Sequence, residues 1–181
     1  NPDRLVVVDE AYYGFGSESA STLLLEAENL IVTRSLSKSH ALAGLRVGYA
    51  LGSAALIEGL TRVKDSFNSY PLDASAQLVA EAAIQDEQWL NESSQTVIEN
   101  RLELTEALLD LGFEVCPSLA NFVFVKHPAH EGRVLFEHLR ERNILVRRWD
   151  KAPIADYLRI TVGTKAECAA LLQCLAEKCA R

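Results

Sequence analysis

The composition is that of an ordinary folded protein with one or two domains. Of its 181 residues, 49% are apolar and 24% are charged, which is enough to bury a core. The formal net charge is −7, whereas a surface that binds nucleic acid or anionic lipid needs a basic stripe. No apolar run approaches the roughly 20 residues of a membrane span. We therefore expect neither a nucleic-acid partner nor a membrane partner.

The chain begins with Asn-Pro, contains no methionine and enters a predicted strand within a few residues. We expect it to be a piece of a longer protein. Its four cysteines, Cys116, Cys168, Cys174 and Cys179, have no C-x-x-C spacing. We interpret them as small buried hydrophobic residues in a reducing compartment, the cytoplasm, and we expect no metal site.

Three apolar runs in the first half of the chain predict strands. "RLVVVDEAY" is nearly continuous in its apolar residues, as is typical of a strand buried on both faces of a parallel sheet. "NLIVTRSLS" and "LRVGYALG" predict two further buried strands. The first of these strands ends at Asp9, where the sequence turns acidic.

Helical spacing and capping residues predict three helices after these strands. They are 53–65 after a cap at Ser53, 74–85 after a cap at Asp73, and 89–111 ending at Gly112.

Beyond Gly112 the layout changes to short strands and helices, which predicts a small α/β unit with its own core. The predicted strands are "FEVCPSLANFVFVK", "ILVRRW" and "YLRITVG", and the predicted helices are "GRVLFEHLRERN" and "KAECAALLQCLAEKC". We place the domain boundary near residue 86, so that 1–86 and 87–181 belong to different domains.

Polar side chains at strand ends point to a cofactor site, because ligands of an open parallel sheet lie outside the carboxyl ends of its strands. Asp9 follows one predicted strand, and Ser35 and Lys38 follow the next. A carboxylate favours protonation of a heterocyclic nitrogen, and the phenol of Tyr12 can donate to an oxygen. A lysine can form a Schiff base, while hydroxyls and Arg46 can hold a phosphate. Pyridoxal 5'-phosphate requires this set of groups.

Three segments carry a resemblance to a known family. "VVVDEAY", "SLSKSHALAGLRVGY" and "LRITVGT" resemble the fold-type I pyridoxal-phosphate aminotransferases, and the histidinol-phosphate aminotransferases most closely. The resemblance covers essentially the whole chain. It implies an α/β fold in which 1–86 is part of the cofactor-binding large domain, with a mainly parallel sheet. It also implies that 87–181 is the small C-terminal domain and that the protein is a homodimer.

The resemblance also implies roles for individual residues. Lys38 would be the catalytic Schiff-base lysine, Asp9 would pair with the pyridine nitrogen, and Tyr12 would reach the phenolic oxygen of the ring. Arg147 and Arg159 would bind the substrate. The groups at the cofactor phosphate would be Ser35, Ser37 and Arg46.

Two departures from the family pattern loosen the substrate assignment more than the cofactor assignment. His40 stands where an aromatic residue is common, and Ser35 stands where threonine is commoner.

Several of these residues have a simpler interpretation. Asp9 could cap a turn, and the adjacent Tyr13 could be ordinary core edge while the D-x-x-Y spacing favours Tyr12. Arg46 could be a surface charge, although its apolar and glycine neighbours favour a desolvated site with a partner. Arg147 and Arg148 point to opposite faces of a strand, so only one faces a site.

The remaining alternatives concern histidines and the arginine pair. We expect His127, His130 and His138 to be solvated, because no spacing among them suggests a metal site. We favour Arg147 over Arg148 for the substrate, and surface salt bridging is its alternative.

The resemblance predicts the reaction of the parent protein. It would convert histidinol phosphate and 2-oxoglutarate to imidazole acetol phosphate and glutamate in histidine biosynthesis, and two arginines suit a dianionic phosphate. The alternatives are another class I or II amino-acid aminotransferase, a threonine-phosphate decarboxylase, or a non-catalytic association domain. We expect the isolated 181-residue chain to be inactive and to bind the cofactor weakly, since the family's other site residues would precede it.

Overall fold

The structure is a computed structural model that describes residues 4–179, so predictions for 1–3 and 180–181 lie outside the described residues. The chain divides into two compact units, Asn1–Ser94 and Gln95–Arg181. This division falls within the long helix α3, Glu87–Asp110. The boundary that the sequence predicts, near residue 86, lies just before that helix.

The first unit contains a three-stranded sheet in the order β1-β2-β3. Its strands are β1 (Val6–Asp9), β2 (Leu30–Ser35) and β3 (Gly48–Gly52). β1 runs parallel to β2, but β3 runs antiparallel to β2. The predicted sheet is mainly parallel, and β3 is an antiparallel member of it. The connection from β2 to β3 holds only turns and a short 3₁₀ segment, Ala43–Leu45, and lacks the α-helix that usually joins neighbouring parallel strands.

The expectation that β1 is buried on both faces is also wrong in this chain. Val6 is 45% exposed and Val7 is 56% exposed. Within residues 4–179, β1 pairs with β2 alone and so forms an edge of the sheet. β2 has neighbours on both sides, and its first three residues are buried. Position in the sheet decides burial here, since the two strands are similar in apolar content. The third predicted buried strand, β3, is mostly half-buried.

Helices α1 (Ala54–Phe67) and α2 (Ala74–Gln85) follow β3, and their caps differ. The predicted cap at Asp73 is confirmed, since its Oδ1 accepts a hydrogen bond from the backbone N–H of Ala76 at 2.8 Å. The predicted helix start after Ser53 is confirmed, but a side-chain capping hydrogen bond is not formed. Ser53 occupies the capping position, but its hydroxyl donates to a backbone oxygen in the loop before β2 instead.

Helix α3 ends as predicted at Gly112, which has a left-handed φ of +85°. The N–H of Gly112 donates to the carbonyl of Leu109, and the N–H of Phe113 donates to the carbonyl of Leu108. This pair of bonds satisfies carbonyls at the helix end and favours glycine at the left-handed position.

The second unit combines the C-terminal part of α3 with a three-stranded antiparallel sheet and two further helices. It contains β4 (Glu114–Cys116), β5 (Phe122–Lys126), α4 (Gly132–Arg140), β6 (Leu158–Thr161) and α5 (Lys165–Cys179), with the strands in the order β4-β5-β6. The predicted single strand at 113–126 is two strands, since Pro117 cannot donate to a sheet and the chain turns there. The strand predicted in "ILVRRW" is only a bridge at Arg147.

The core of this unit is formed by one face of the sheet and the helices that cover it. Its fully buried side chains are Leu104, Leu108, Val123, Val125, Leu135, Leu139, Leu158 and Leu175. Cys174 is buried as predicted, whereas Cys116, Cys168 and Cys179 are half-buried, and all four thiols are free. No helix among the described residues is both long and apolar enough to cross a membrane.

Candidate functional site

The first unit brings the carboxyl ends of β1 and β2 to one edge of the sheet. Asp9 is the last residue of β1 and pairs in register with Thr33, and Ser35 is the last residue of β2. Because side chains alternate along a strand, Asp9, Thr33 and Ser35 lie on the same face. Asp9 is exposed, and its Oδ1 accepts a hydrogen bond from the N–H of Ala11 at 3.0 Å. The carboxylate therefore caps its own turn and still faces solvent.

The predicted lysine lies in the turn that directly follows β2. Lys38 is exposed, and its carbonyl accepts from the N–H of Ala41 at 3.3 Å. The hydroxyl of Ser35 accepts from the N–H of Ser37 at 3.1 Å, which folds the turn back over the strand end. The structure thus places Ser35, Ser37 and Lys38 in one short turn at the edge that carries Asp9.

The two adjacent tyrosines have different surroundings. The guanidinium of Arg34 lies 3.8 Å from the centroid of the Tyr13 ring, so Tyr13 is committed to packing. Tyr12 is half-buried. Tyr13 is also half-buried, so burial does not separate the two, and Tyr12 as the phenol of the candidate site stays a prediction from the D-x-x-Y spacing.

Arg46 departs from its prediction. It is exposed rather than desolvated, and its Nη1 donates to the carbonyl of Ala43 at 3.0 Å. Its backbone is left-handed, with φ of +59°. Gly48, two residues later, is required by close packing, because a Cβ there would lie 2.8 Å from the carbonyl oxygen of Arg34. The glycine and apolar residues around Arg46 therefore reflect the close packing of the strand at Gly48, and they do not indicate that Arg46 is buried.

Sequence reasoning missed an ion pair between Glu10 and Arg34, which joins Arg34 Nε to Glu10 Oε2 at 2.9 Å. Burial opposes ionisation of Glu10, but hydrogen bonds from Ala20, Arg34 and Ser19 outweigh it and hold the Glu10 pKa below its usual value. The sequence did contain a signal for this pair. Glu10 and Arg34 carry opposite charges, and each is adjacent in sequence to a predicted site residue at a strand end, Glu10 to Asp9 and Arg34 to Ser35.

His40, the family departure, lies beside this ion pair. It lines a cavity of about 250 Å³ together with Glu10, Tyr13, Arg34 and Tyr49 among others. Burial lowers the pKa of His40, and its Nδ1 lies 2.9 Å from the hydroxyl of the preceding serine.

In the second unit the two predicted substrate arginines are cross-strand neighbours. The N–H of Arg147 donates to the carbonyl of Arg159 at 3.0 Å, and the N–H of Arg159 donates to the carbonyl of Arg147 at 2.8 Å. Directly opposed residues of an antiparallel pair project to the same face. The guanidinium of Arg159 lies 4.6 Å from the ring centroid of Phe122, and its buried Nε has no hydrogen-bond partner among the described residues.

The side chain of Arg148 is already bonded within the protein, and this helps to decide whether Arg147 or Arg148 faces the substrate. Its Nε donates to the carbonyl of Ala155 at 2.7 Å, and it forms an ion pair with Asp150. Arg147 is exposed and lies 5.2 Å from the ring of Trp149. These contacts support Arg147 as the arginine that faces a ligand.

The expectation of solvated histidines is wrong. His127, His130 and His138 are all half-buried. Donor atoms of His127, His130 and Cys179 lie within 4.8 Å of one another, a group that sequence spacing did not reveal. Nδ1 of His127 accepts from the N–H of Ala129 at 3.1 Å, and its Nε2 lies 3.2 Å from a carbonyl oxygen. Since both ring nitrogens are already bonded, we assign no metal to this group.

The family model and two relatives of known name that match this chain all describe aminotransferases. Residues 2–175 match the family described as aminotransferase class I and II. The chain is 56% identical over 180 residues to histidinol-phosphate aminotransferase 2 of Thiobacillus denitrificans, covering 99% of this chain and 50% of that protein. It is 55% identical over 177 residues to histidinol-phosphate aminotransferase 2 of Rhizobium meliloti, covering 98% and 50%.

Among solved structures, the fold matches histidinol-phosphate aminotransferase from Sinorhizobium meliloti in complex with pyridoxal-5'-phosphate. The TM-score is 0.85 at 26% identity, covering 99% of this chain and 50% of that one. The chain thus spans about half the length of the curated relatives it matches.

Proposed function

The chain belongs to the aminotransferase class I and II family, and from that premise we propose that its parent protein is a histidinol-phosphate aminotransferase. It transfers the amino group of histidinol phosphate to 2-oxoglutarate, which forms imidazole acetol phosphate and glutamate in histidine biosynthesis. The names of relatives at 55–56% identity support this proposal.

The observation that carries the substrate proposal is the cross-strand pair of Arg147 and Arg159. Like charges directly opposite each other destabilise a sheet, and a buried guanidinium N–H without an acceptor costs free energy. A dianionic phosphate between the two arginines would relieve both costs. A single carboxylate would satisfy fewer of their donors, so the pair favours a phosphorylated substrate over an aromatic amino acid.

The donor set at the ends of β1 and β2 fits pyridoxal phosphate as the cofactor. An exposed carboxylate, a phenol, an exposed amine and hydroxyls belong to one sheet edge and the turns that follow it. When bound, the cofactor supplies an electron sink for negative charge that develops at the substrate α-carbon. The relative from Sinorhizobium meliloti, whose structure contains this cofactor, supports the assignment.

Each residue of this set has a chemical role in the proposal. The Lys38 amine would attach the cofactor covalently, and once the substrate amine has taken its place, the freed Lys38 amine would move the proton at the substrate α-carbon. The Asp9 carboxylate would keep a proton on the ring nitrogen of the cofactor, and the Tyr12 hydroxyl would donate to its phenolic oxygen. The groups that bind its phosphate are Arg46, Ser35 and Ser37.

Trapping the covalent attachment tests the proposed chemistry. The full-length protein is loaded with pyridoxal phosphate, reduced with borohydride and digested, and the labelled peptide is identified by mass spectrometry. We expect the label on Lys38, its loss in Lys38→Arg, and its retention in Lys64→Arg, a control lysine on helix α1. A label on any other residue overturns the assignment, and absence of label favours the non-catalytic association domain.

Turnover with different substrates tests the substrate class. We expect histidinol phosphate to be used in preference to aromatic amino acids, with 2-oxoglutarate as the acceptor. A preference for aromatic amino acids would point to another class I or II aminotransferase. Release of carbon dioxide from threonine phosphate would point to the decarboxylase instead.

We also propose that the protein is a cytoplasmic homodimer, on the strength of its resemblance to the family. The 181-residue chain alone should bind the cofactor weakly and lack activity. The exposure of Val6 and Val7 on β1 supports this, because these apolar side chains need a covering neighbour. Light scattering of the full-length protein measures the dimer, and cofactor titration of the short chain measures the binding.

A further inference from the structure

The ion pair of Glu10 and Arg34 lies on the reverse face of the sheet from the candidate cofactor groups. The N–H of Glu10 donates to the carbonyl of Thr33 at 2.8 Å, which extends the pairing of β1 and β2 by one residue and brings Glu10 beside Arg34. Asp9 and Ser35 are the preceding and following neighbours of this pair and project to the opposite face. The ion pair therefore joins the two strand ends from behind.

Glu10 is tied to more than Arg34. Its carboxylate also accepts from the hydroxyl of Ser19 at 2.9 Å and from the N–H of Ala20 at 2.7 Å. Its side chain is only 8% exposed, and that of Arg34 is 16% exposed. One nearly buried carboxylate thus holds β1, β2 and the far end of the segment 11–19.

Arg34 holds the near end of the same segment. Its guanidinium stacks on Tyr13, the residue after Tyr12, and its Nη2 donates to the hydroxyl of Ser19 at 2.6 Å. The segment that carries Tyr12 is therefore fixed at both ends by a single pair of charges.

The surroundings of both partners favour their charged forms. Hydrogen bonds hold the Glu10 pKa low against the opposing effect of burial. For Arg34, burial lowers the pKa, but hydrogen bonds with Tyr49 and Glu10 outweigh it and raise the pKa. Removing either partner leaves the other as an uncompensated, largely desolvated charge.

We propose that Glu10 and Arg34 are positioning residues that set the placement of Asp9 and Tyr12 against the bound cofactor, and through it the proton affinity of the cofactor. This inference rests on the proposed function. A loosened Tyr12 donates a poorer hydrogen bond to the phenolic oxygen, which then holds a proton more strongly. A displaced Asp9 keeps less positive charge on the ring, which acts in the same direction.

The test is a pH titration of the visible absorbance of the full-length protein loaded with pyridoxal phosphate. Glu10→Gln removes the charge, and Arg34→Lys keeps the charge but loses the planar fork and the stacking on Tyr13. We expect the apparent pKa of the bound cofactor to rise by up to about 1 unit in both variants. Arg62→Gln, which breaks an exposed ion pair on α1, should titrate like the wild type.

The outcomes separate this inference from the proposed function. If the wild type gives no cofactor band and no label on Lys38, the proposed function fails. If the wild type shows the band and the folded variants titrate with the wild-type pKa, the positioning role is refuted. Should Glu10→Gln fail to fold, Arg34→Lys decides, because it retains the positive charge that Glu10 requires. Circular dichroism and melting curves establish which variants are folded.

Discussion

Replacing the paired arginines should weaken phosphate recognition by amounts that the structure ranks. A hydrogen bond to a charged group contributes about 1.5–3 kcal/mol, which corresponds to about 10- to 150-fold in affinity. Arg159 is half-buried with an unsatisfied Nε, so Arg159→Gln should lie near the upper end of this range. Arg147 is exposed, so water screens it and Arg147→Gln should cost about tenfold.

The assay compares kcat/KM for histidinol phosphate with kcat/KM for histidinol, which lacks the phosphate. Taking this ratio cancels losses that come from a general disturbance of the enzyme. Both variants should lower the ratio, whereas Arg133→Gln should leave it unchanged. Arg133 is a suitable control because it is an exposed arginine on α4, in an ion pair with Glu137.

The double variant and the stability measurements sharpen this prediction. Because both arginines would bind one phosphate, their effects should be non-additive. Removing one of two opposed like charges should also stabilise the unliganded protein by up to about 1 kcal/mol. If Arg147→Gln and Arg159→Gln lower turnover of both substrates by the same factor, the arginines do not recognise the phosphate and the reasoning fails.

Two further predictions concern stability and are read from denaturant unfolding. Since the Glu10 pKa is lowered in the folded state, its contribution to the free energy of unfolding is complete above its ordinary value of 4.5 and is lost as pH falls through the lower folded value. The Glu10→Gln variant should therefore have a lower free energy of unfolding than the wild type at pH 7, and that free energy should fall less on acidification. Parallel curves of unfolding free energy against pH for the two proteins would contradict this. Gly132→Ala should destabilise by about 1–3 kcal/mol, since its Cβ would lie 2.5 Å from the carbonyl oxygen of Asp156. A Cβ at Gly59, inside helix α1, would have no atom within 4 Å, so Gly59→Ala should stabilise the protein by about 0.5–1 kcal/mol. If both substitutions change the free energy of unfolding in the same direction, the packing argument is refuted.

The predicted site residues show how far sequence reasoning reaches. Local spacing predicts Asp9, Tyr12 and Lys38 as site residues, because they lie at or within three residues of the ends of strands whose apolar pattern is readable. The neighbouring residues predicted that Arg46 is desolvated, but it is exposed, because exposure depends on which distant residues pack over a side chain. Local spacing also missed the pairing of Glu10 with Arg34, which are 24 positions apart and meet only through strand register.

The sequence by itself determined features that depend on a few neighbouring residues. The Asp73 cap and the left-handed Gly112 are of this kind, because side-chain chemistry and backbone sterics act within one helical turn. The family also follows from the sequence, since its motifs lie in short segments. Tertiary structure alone decided the antiparallel direction of β3 and the placement of Arg147 opposite Arg159. Strand direction and register arise from pairing between distant segments, and the free energy of that pairing is not contained in either segment alone.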